Sequence, residues 1–278
     1  MTGVQTCALP ISHYREAGRD LAYPVADATA LAKFFQEHRG RFSRVETRVL
    51  TNEAATRQGI LAARELLARA GPDDTAVVLL AGHGLRNAKD EFYFATHDVD
   101  FSAPESKGLP YAEIDGFFDE SMARRRLLLM DACYSGETDA PAAPVSIAQA
   151  EPKDAPGIKL RGVALSRSRR SAEGAAAALE SLYADLRKGS GAVVIAAAAG
   201  VEQAAERSDL AHGVFTYALL EGMAGAKADG NRDGEVQISE LRDYVVARVR
   251  ELSLGAQTPT VNRDNLAVDY GLAWKADN

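Results

Sequence analysis

The sequence predicts an α/β fold: a mainly parallel central sheet with helices on both faces. Three observations carry that prediction. Two continuous apolar runs of strand length, TAVVLLA (75–81) and RLLLMDA (126–132), read as strands buried on both sides, as inner strands of a parallel sheet are. Segments with apolar residues at helical spacing alternate with the strand candidates, the order of a doubly wound sheet. The composition of the 278 residues, 46% hydrophobic and 26% charged, is that of a folded globule rather than a disordered chain.

The elements follow in order. Residues 1–11, MTGVQTCALPI, show no helical or strand period and resemble the translation of a sequencing-library adapter. They are read as a non-native, adapter-derived segment and left out of the fold. On that reading Cys7 is foreign, Cys133 is the native thiol, and the natural start is missing, with any signal peptide it carried. Ala28, Leu31, Phe34, Phe35 and His38 then recur at helical spacing, with Gly40 as the stop. Val45 to Leu50 is a short strand, and Thr56 caps a helix carrying Ile60, Ala63, Leu66 and Leu67. After the first apolar run come a short strand over 91–95 and a helix over 111–120.

Residues 138–172 are rich in Pro, Ala and polar side chains and have no period, so they read as a mobile linker. Its end, KLRGVALSRSRRS, is basic in an otherwise acidic chain. A helix over 175–188, a third buried strand over 192–199, and helices over 214–227 and 238–252 complete the pattern.

A net charge of -7 argues against a nucleic-acid partner, which needs clustered Lys and Arg. The longest apolar stretch, 191–200, is about half of a membrane span, so no membrane insertion is expected. With two cysteines there is no disulfide framework, and a reduced, cytoplasmic setting is expected.

Ligands of open α/β sheets bind beyond the carboxyl ends of the strands. The first apolar run leads into Gly82-His83-Gly84, and the second into Cys133-Tyr134-Ser135-Gly136. Neighbouring parallel strands would bring His83 and Cys133 to one rim. There an imidazole lowers a thiol's pKa and can later protonate a leaving amine. Gly84 leaves room for a substrate backbone, and its N–H with that of Cys133 would form an oxyanion hole. Taken singly, each residue has a plainer reading: a strand-end histidine that only hydrogen-bonds, and a cysteine that is a small buried hydrophobe. A thiol phosphatase is excluded because position 139, where an arginine would hold phosphate, is Asp.

These residues resemble the caspase-like cysteine peptidases of the caspase–metacaspase group, and bacterial caspase-like proteins in particular. His83 lies 50 positions before Cys133, the separation known for caspases. Asp131-Ala132-Cys133-Tyr134-Ser135-Gly136 is similar to the metacaspase D-x-C-[HY]-S-G pattern rather than to the caspase one. AGHG at 81–84, DVD at 98–100 and GVFTYALLEGMAG at 213–225 add to the likeness.

The resemblance implies a caspase-like three-layer sandwich over 12–270, with a large segment at about 12–137, a small one at about 173–270, and a tail at 271–278. It implies Cys133 as nucleophile, His83 as general acid and base, and Asp131 as the carboxylate that holds a basic side chain. Cleavage of protein or peptide substrates after Arg or Lys follows, by a monomer that needs no organic cofactor. Lys159, Arg161, Arg167, Arg169 and Arg170 become candidate points of self-processing in the linker, or they simply solvate it. The other reading is an inactive caspase-like interaction module. In the resembled fold the first strand lies inside the sheet. Either Val4 to Ile11 fills that slot, or the protein is less stable than its natural form.

One further motif stands apart. Asp229, Asn231, Asp233, Gly234 and Glu240 satisfy the calcium-loop pattern D-x-[DN]-x-[DN]-G-x5-E. Calcium would take the side-chain oxygens of Asp229, Asn231, Asp233 and Glu240 and the carbonyl of Glu235. Calcium loops usually come in pairs and only one is visible here, so a plain helix-to-helix connection is the rival expectation.

Overall fold

The two long apolar runs pair side by side in the middle of a six-stranded sheet. The computed structural model describes residues 2–38, 42–89, 91–132, 158–161, 191–198, 204–261 and 269–274. In chain order the first half holds β1 (Val4–Pro10), α1 (Pro24–Glu37), β2 (Val45–Val49), α2 (Arg57–Ala62), α3 (Arg64–Ala68), β3 (Thr75–Gly82), β4 (Gly84–Arg86), β5 (Phe92–Phe94), β6 (Leu109–Pro110), α4 (Tyr111–Asp115) and β7 (Arg125–Ala132). The second holds β8 (Ile158–Arg161), β9 (Val193–Ala196), β10 (Ala204–Arg207), β11 (His212–Gly213), α5 (Val214–Met223), β12 (Glu235–Gln237), α6 (Ile238–Leu252), β13 (Thr260–Val261) and β14 (Gly271–Trp274).

The main sheet runs β13-β9-β7-β3-β1-β2 and is parallel except where β13 meets β9. Its strands put alternate residues on opposite faces. Val78, Leu80, Leu128 and Met130 pack with Ile60, Leu67, Ile114 and Phe117, on the side of α2, α3 and α4. Val77, Leu79, Leu127 and Leu129 pack instead with residues of α1, α5 and α6, among them Phe35, Phe215 and Val245. Both faces are thus covered, which gives the three layers, and neither long run needs a polar side.

Local chemistry sets the helix starts. Thr56 Oγ1 accepts the Gly59 N–H at 3.2 Å and caps α2. Gln237 and Glu240 form a capping box at the start of α6, whose bounds match the predicted ones. Buried Glu206 of β10 accepts the N–H groups of Ala22 (3.3 Å) and Tyr23 (3.1 Å), just ahead of α1.

The structure corrects three expectations. Residues 4–10 are not outside the fold: of the two expectations for Val4 to Ile11 it is the filled inner slot that holds, as β1, fully buried between β2 and β3. The segment shows no alternation because both of its faces are covered. Pro10 costs no ladder bond. Ile11 N–H turns to the Ala81 carbonyl on the β3 side, so position 10 turns to the β2 side, where pairing has ended at Ala8 with Val49. Second, residues 158–161, placed within the linker, form β8 against β10, a strand too short for its alternation to stand out. Third, residues 271–274, placed in the tail, form β14, which pairs with β12 at the calcium-like loop. The predicted helix over 111–120 is shorter than expected, with α4 passing at Gly116 into a single 3-10 turn. The helix predicted over 175–188 lies outside the described residues.

β1 does not match its surroundings chemically. Thr6 is fully buried and its hydroxyl has no hydrogen-bond partner; the Gln5 amide oxygen has none either. An orphaned hydroxyl costs desolvation that a methyl group of the same shape avoids. Thr6→Val is therefore expected to stabilise the protein by about 1 kcal/mol, raising Tm by about 2–4 °C in a thermal melt. Among the described residues, no helix is long and apolar enough to cross a membrane.

Candidate active site

His83 stands at the corner where β3 leaves the main sheet and β4 begins a separate three-stranded sheet with β5 and β6. Gly82 lets Tyr14 and Phe94 pack closely against this corner: a Cβ at that position would lie 2.7 Å from the Tyr14 hydroxyl and 3.2 Å from the Phe94 ring. Backbone bonds fix the corner on both sides. The His83 N–H donates to the Tyr14 hydroxyl at 2.9 Å, and the His83 carbonyl accepts the Ala95 N–H at 2.9 Å.

The imidazole is held as firmly as the backbone. Its Nε2 lies 2.8 Å from the Arg19 carbonyl oxygen. A carbonyl only accepts, so Nε2 carries a proton, and in the neutral ring Nδ1 is then the basic nitrogen. The ring packs against Tyr14 at 5.1 Å and edge-on to Phe101 at 5.6 Å between centroids, while the Arg19 guanidinium sits 4.6 Å over Phe101. His83 is 5% exposed, so its ring works in a largely water-poor pocket.

Both holding groups come from one loop, residues 12–20. Asp20 ties it together, accepting the Tyr14 N–H at 3.0 Å and bonding His13 Nδ1 at 2.9 Å. These two hydrogen bonds, that of His13 first, hold the Asp20 carboxyl below the usual carboxylate range.

The register of β3 with β7 defines the rim. Ala81 pairs with Asp131, and Gly82 with Ala132. The next residue of the first strand is His83 and the next of the second is Cys133, which lies outside the described residues. Gly84 opposes Phe94 in β5. The Ala95–His83 bond beside it makes this a non-hydrogen-bonded pair, so the Gly84 N–H is directed away from β5.

Asp131 is 1% exposed, and its Oδ2 accepts the Thr216 hydroxyl at 3.1 Å. Thr216 lies in the first turn of α5. A second buried carboxylate reaches the same turn: Asp27 accepts the Gly213 N–H at 3.2 Å and lies 2.7 Å from His212 Nδ1. Asp27 gives one signal in the sequence, an acid on the apolar face of a helix, and Tyr14 and Arg19 give none. The Arg19 contribution is a backbone carbonyl, which no side-chain pattern can reveal.

Of the linker residues, Lys159 and Arg161 lie in β8, while Arg167, Arg169 and Arg170 lie outside the described residues. The other cysteine, Cys7, is fully buried in β1, and burial pushes its thiol up to about 12. It is thus held as the unreactive thiol.

The calcium-like loop turns on Gly234 at φ +90°. Asp229 accepts the N–H groups of Arg232 (2.6 Å), Asp233 (3.2 Å) and Gly234 (2.9 Å). Asn231 and Asp233 accept those of Asp233 and Glu235. Glu240 accepts three more, from Gly230, Asn231 and Gln237. Among the described residues, no group of three or more His, Cys, Asp or Glu is arranged to hold a metal ion.

Comparison with known proteins agrees with this architecture. A family described as "Caspase domain" matches residues 7–270. A solved structure, the crystal structure of protein GSU0716 from Geobacter sulfurreducens, superposes with a TM-score of 0.59 at 18% identity, covering 94% of this chain and 92% of that one. At that identity the likeness speaks for the fold alone. No curated protein matches the sequence.

Proposed function

The chain belongs to the caspase-domain family, and from that membership we propose that it is a cysteine endopeptidase working through Cys133 and His83. The observation that carries the reading is the bond from His83 Nε2 to the Arg19 carbonyl, at the strand end in register with the one that leads to Cys133. It leaves Nδ1 as the nitrogen that takes the thiol proton.

The Cys133 thiolate attacks the scissile carbonyl carbon. The oxygen that becomes negative is met by the N–H groups of Gly84 and Cys133. His83 then gives its proton to the departing amine, the C–N bond breaks, and a thioester remains. Water, deprotonated by the same imidazole, hydrolyses the thioester and restores the thiol. No cofactor enters these steps.

Asp131 supplies the preference for Arg or Lys before the cut, since a carboxylate in a buried pocket pairs with a guanidinium or ammonium and repels an acidic side chain. Because it is 1% exposed, a substrate side chain reaches it only by displacing what covers it. The linker basic residues, Lys159 and Arg161 among them, are the places where such an enzyme would cut itself. The test is release of fluorophore from peptides ending in Arg, Lys or Asp, with Cys133→Ala as control. Turnover of the Arg and Lys peptides that is lost in Cys133→Ala supports the reading. Absence of turnover by folded protein leaves an interaction module.

The loop from Asp229 to Glu240 enters this reading as a calcium site of low affinity. Metal would have to replace the three N–H groups now bonded to Glu240. That cost makes the expected calcium binding weak. Titration calorimetry measures it, and no heat at millimolar calcium removes the site.

A further inference from the structure

The bonds around His83 form a closed circuit, and one member of it has no part in the chemistry described above. The His83 N–H donates to the Tyr14 hydroxyl at 2.9 Å, and its Nε2 lies 2.8 Å from the Arg19 carbonyl oxygen. Tyr14 and Arg19 belong to one loop, which turns on Gly18 at φ +83°, a conformation suited to glycine. Asp20 joins these two holders to each other, its carboxylate accepting the Tyr14 N–H at 3.0 Å.

Asp20 reaches the imidazole by a second route as well. The Arg19 carbonyl and the Asp20 N–H share one planar peptide, so a rotation at either neighbouring Cα swings the carbonyl. On one side of that peptide the Arg19 guanidinium sits 4.6 Å over the Phe101 ring, and its Nε donates to Glu16 Oε1 at 2.9 Å. On the other side the Asp20 carboxylate is fixed on the Tyr14 N–H and on His13 Nδ1, 2.9 Å away. The acceptor of the imidazole proton is thus held from both ends. The Asp20 side chain is 55% exposed, so its bonds add little to folding stability. A bond of small worth to the fold closes the circuit around a buried base.

We propose that Asp20 is a positioning residue for His83: by holding the Tyr14 N–H, its carboxylate keeps the Arg19 carbonyl aimed at Nε2. The proton then stays on Nε2, and Nδ1 remains the basic nitrogen. The inference rests on the peptidase reading for its effect on rate, whereas its effect on the ring does not. Asp20 acts only through Tyr14 and Arg19. A misaimed ring therefore costs turnover rather than substrate binding, which lowers kcat and leaves KM in place.

The test follows the His83 Nε2 proton by NMR in the full chain with 15N-labelled imidazole rings. A ring proton bonded to a carbonyl in a pocket where the residue is 5% exposed exchanges slowly with water. The chain has five histidines, and the other four bond through Nδ1. A slowly exchanging proton on Nε2 is therefore that of His83, and its loss in His83→Ala assigns it. Asp20→Ala is expected to abolish this resonance and to lower kcat for an Arg-ended peptide by about tenfold, with KM held within about twofold. Asp20→Asn keeps an oxygen for the Tyr14 N–H and is expected to restore the resonance and most of the rate. Persistence of the resonance in Asp20→Ala overturns the proposal whatever the rate does, and so does an Asn variant that fails as the Ala variant does. A loss that falls on KM as much as on kcat also overturns it, because the loop has then collapsed rather than misaimed the ring. No turnover by the unsubstituted chain, with the resonance lost in Asp20→Ala and restored in Asp20→Asn, removes the peptidase and keeps Asp20 in this role. Turnover with a resonance indifferent to Asp20 removes the role and keeps the peptidase.

Discussion

His83→Ala is expected to lower kcat/KM for an Arg-ended peptide by about 10²–10⁴-fold, the usual contribution of a positioned general acid and base. The size follows from the two jobs one ring would perform. Without it the thiol must ionise unaided near its ordinary pKa, and the amine leaves without a proton. The substitution is well suited to the question because the corner at residue 83 is held mainly by backbone. The N–H to Tyr14 and the carbonyl to Ala95 are main-chain bonds that alanine retains. The side-chain loss is the bond to the Arg19 carbonyl and the ring contacts with Tyr14 and Phe101. A thermal melt alongside the kinetics separates the two effects. A loss of activity under about tenfold with the fold intact would take His83 out of the chemistry and leave it as a packed, hydrogen-bonded corner residue.

How much of this was legible from the amino acids depends on how local the signal is. β3 and β7 announced themselves because a strand covered on both faces can be apolar throughout, and helix α6 because its stripe and capping box lie within one segment. β1 was hidden by the same physics. Its burial is complete, yet Gln5, Thr6 and Pro10 break the apolar run, and they are tolerated only through neighbours far away in sequence. β8 and β14 are four residues each, and their partners β10 and β12 lie dozens of positions away from them. The site divides in the same way. His83 could be picked out by type and by its place after a strand. The Arg19 carbonyl, the Tyr14 hydroxyl and Asp27 act from other segments that the fold brings in.

Asp131→Asn is expected to cut kcat/KM for Arg-ended peptides by about 10–100-fold, the worth of a hydrogen bond to a charged group. Asn keeps the shape and an oxygen that can accept the Thr216 hydroxyl, which now lies 3.1 Å away. Position 131 is 1% exposed, and Asn fills nearly the same volume there without adding a charge. Folding stability should therefore hold, and a melt showing it held makes any loss of activity a matter of recognition. The loss should fall on Arg and Lys peptides alike, and the preference for them over Asp-ended peptides should shrink by more than that factor. The repulsion that excludes acidic side chains goes when the charge goes, whereas the pocket's shape remains. Arg-ended peptides turned over at the original rate, with the original preference, would assign Asp131 to holding the start of α5 through Thr216 and move the specificity to another acid, with Asp27 of α1 the buried carboxylate bonded just ahead of that turn.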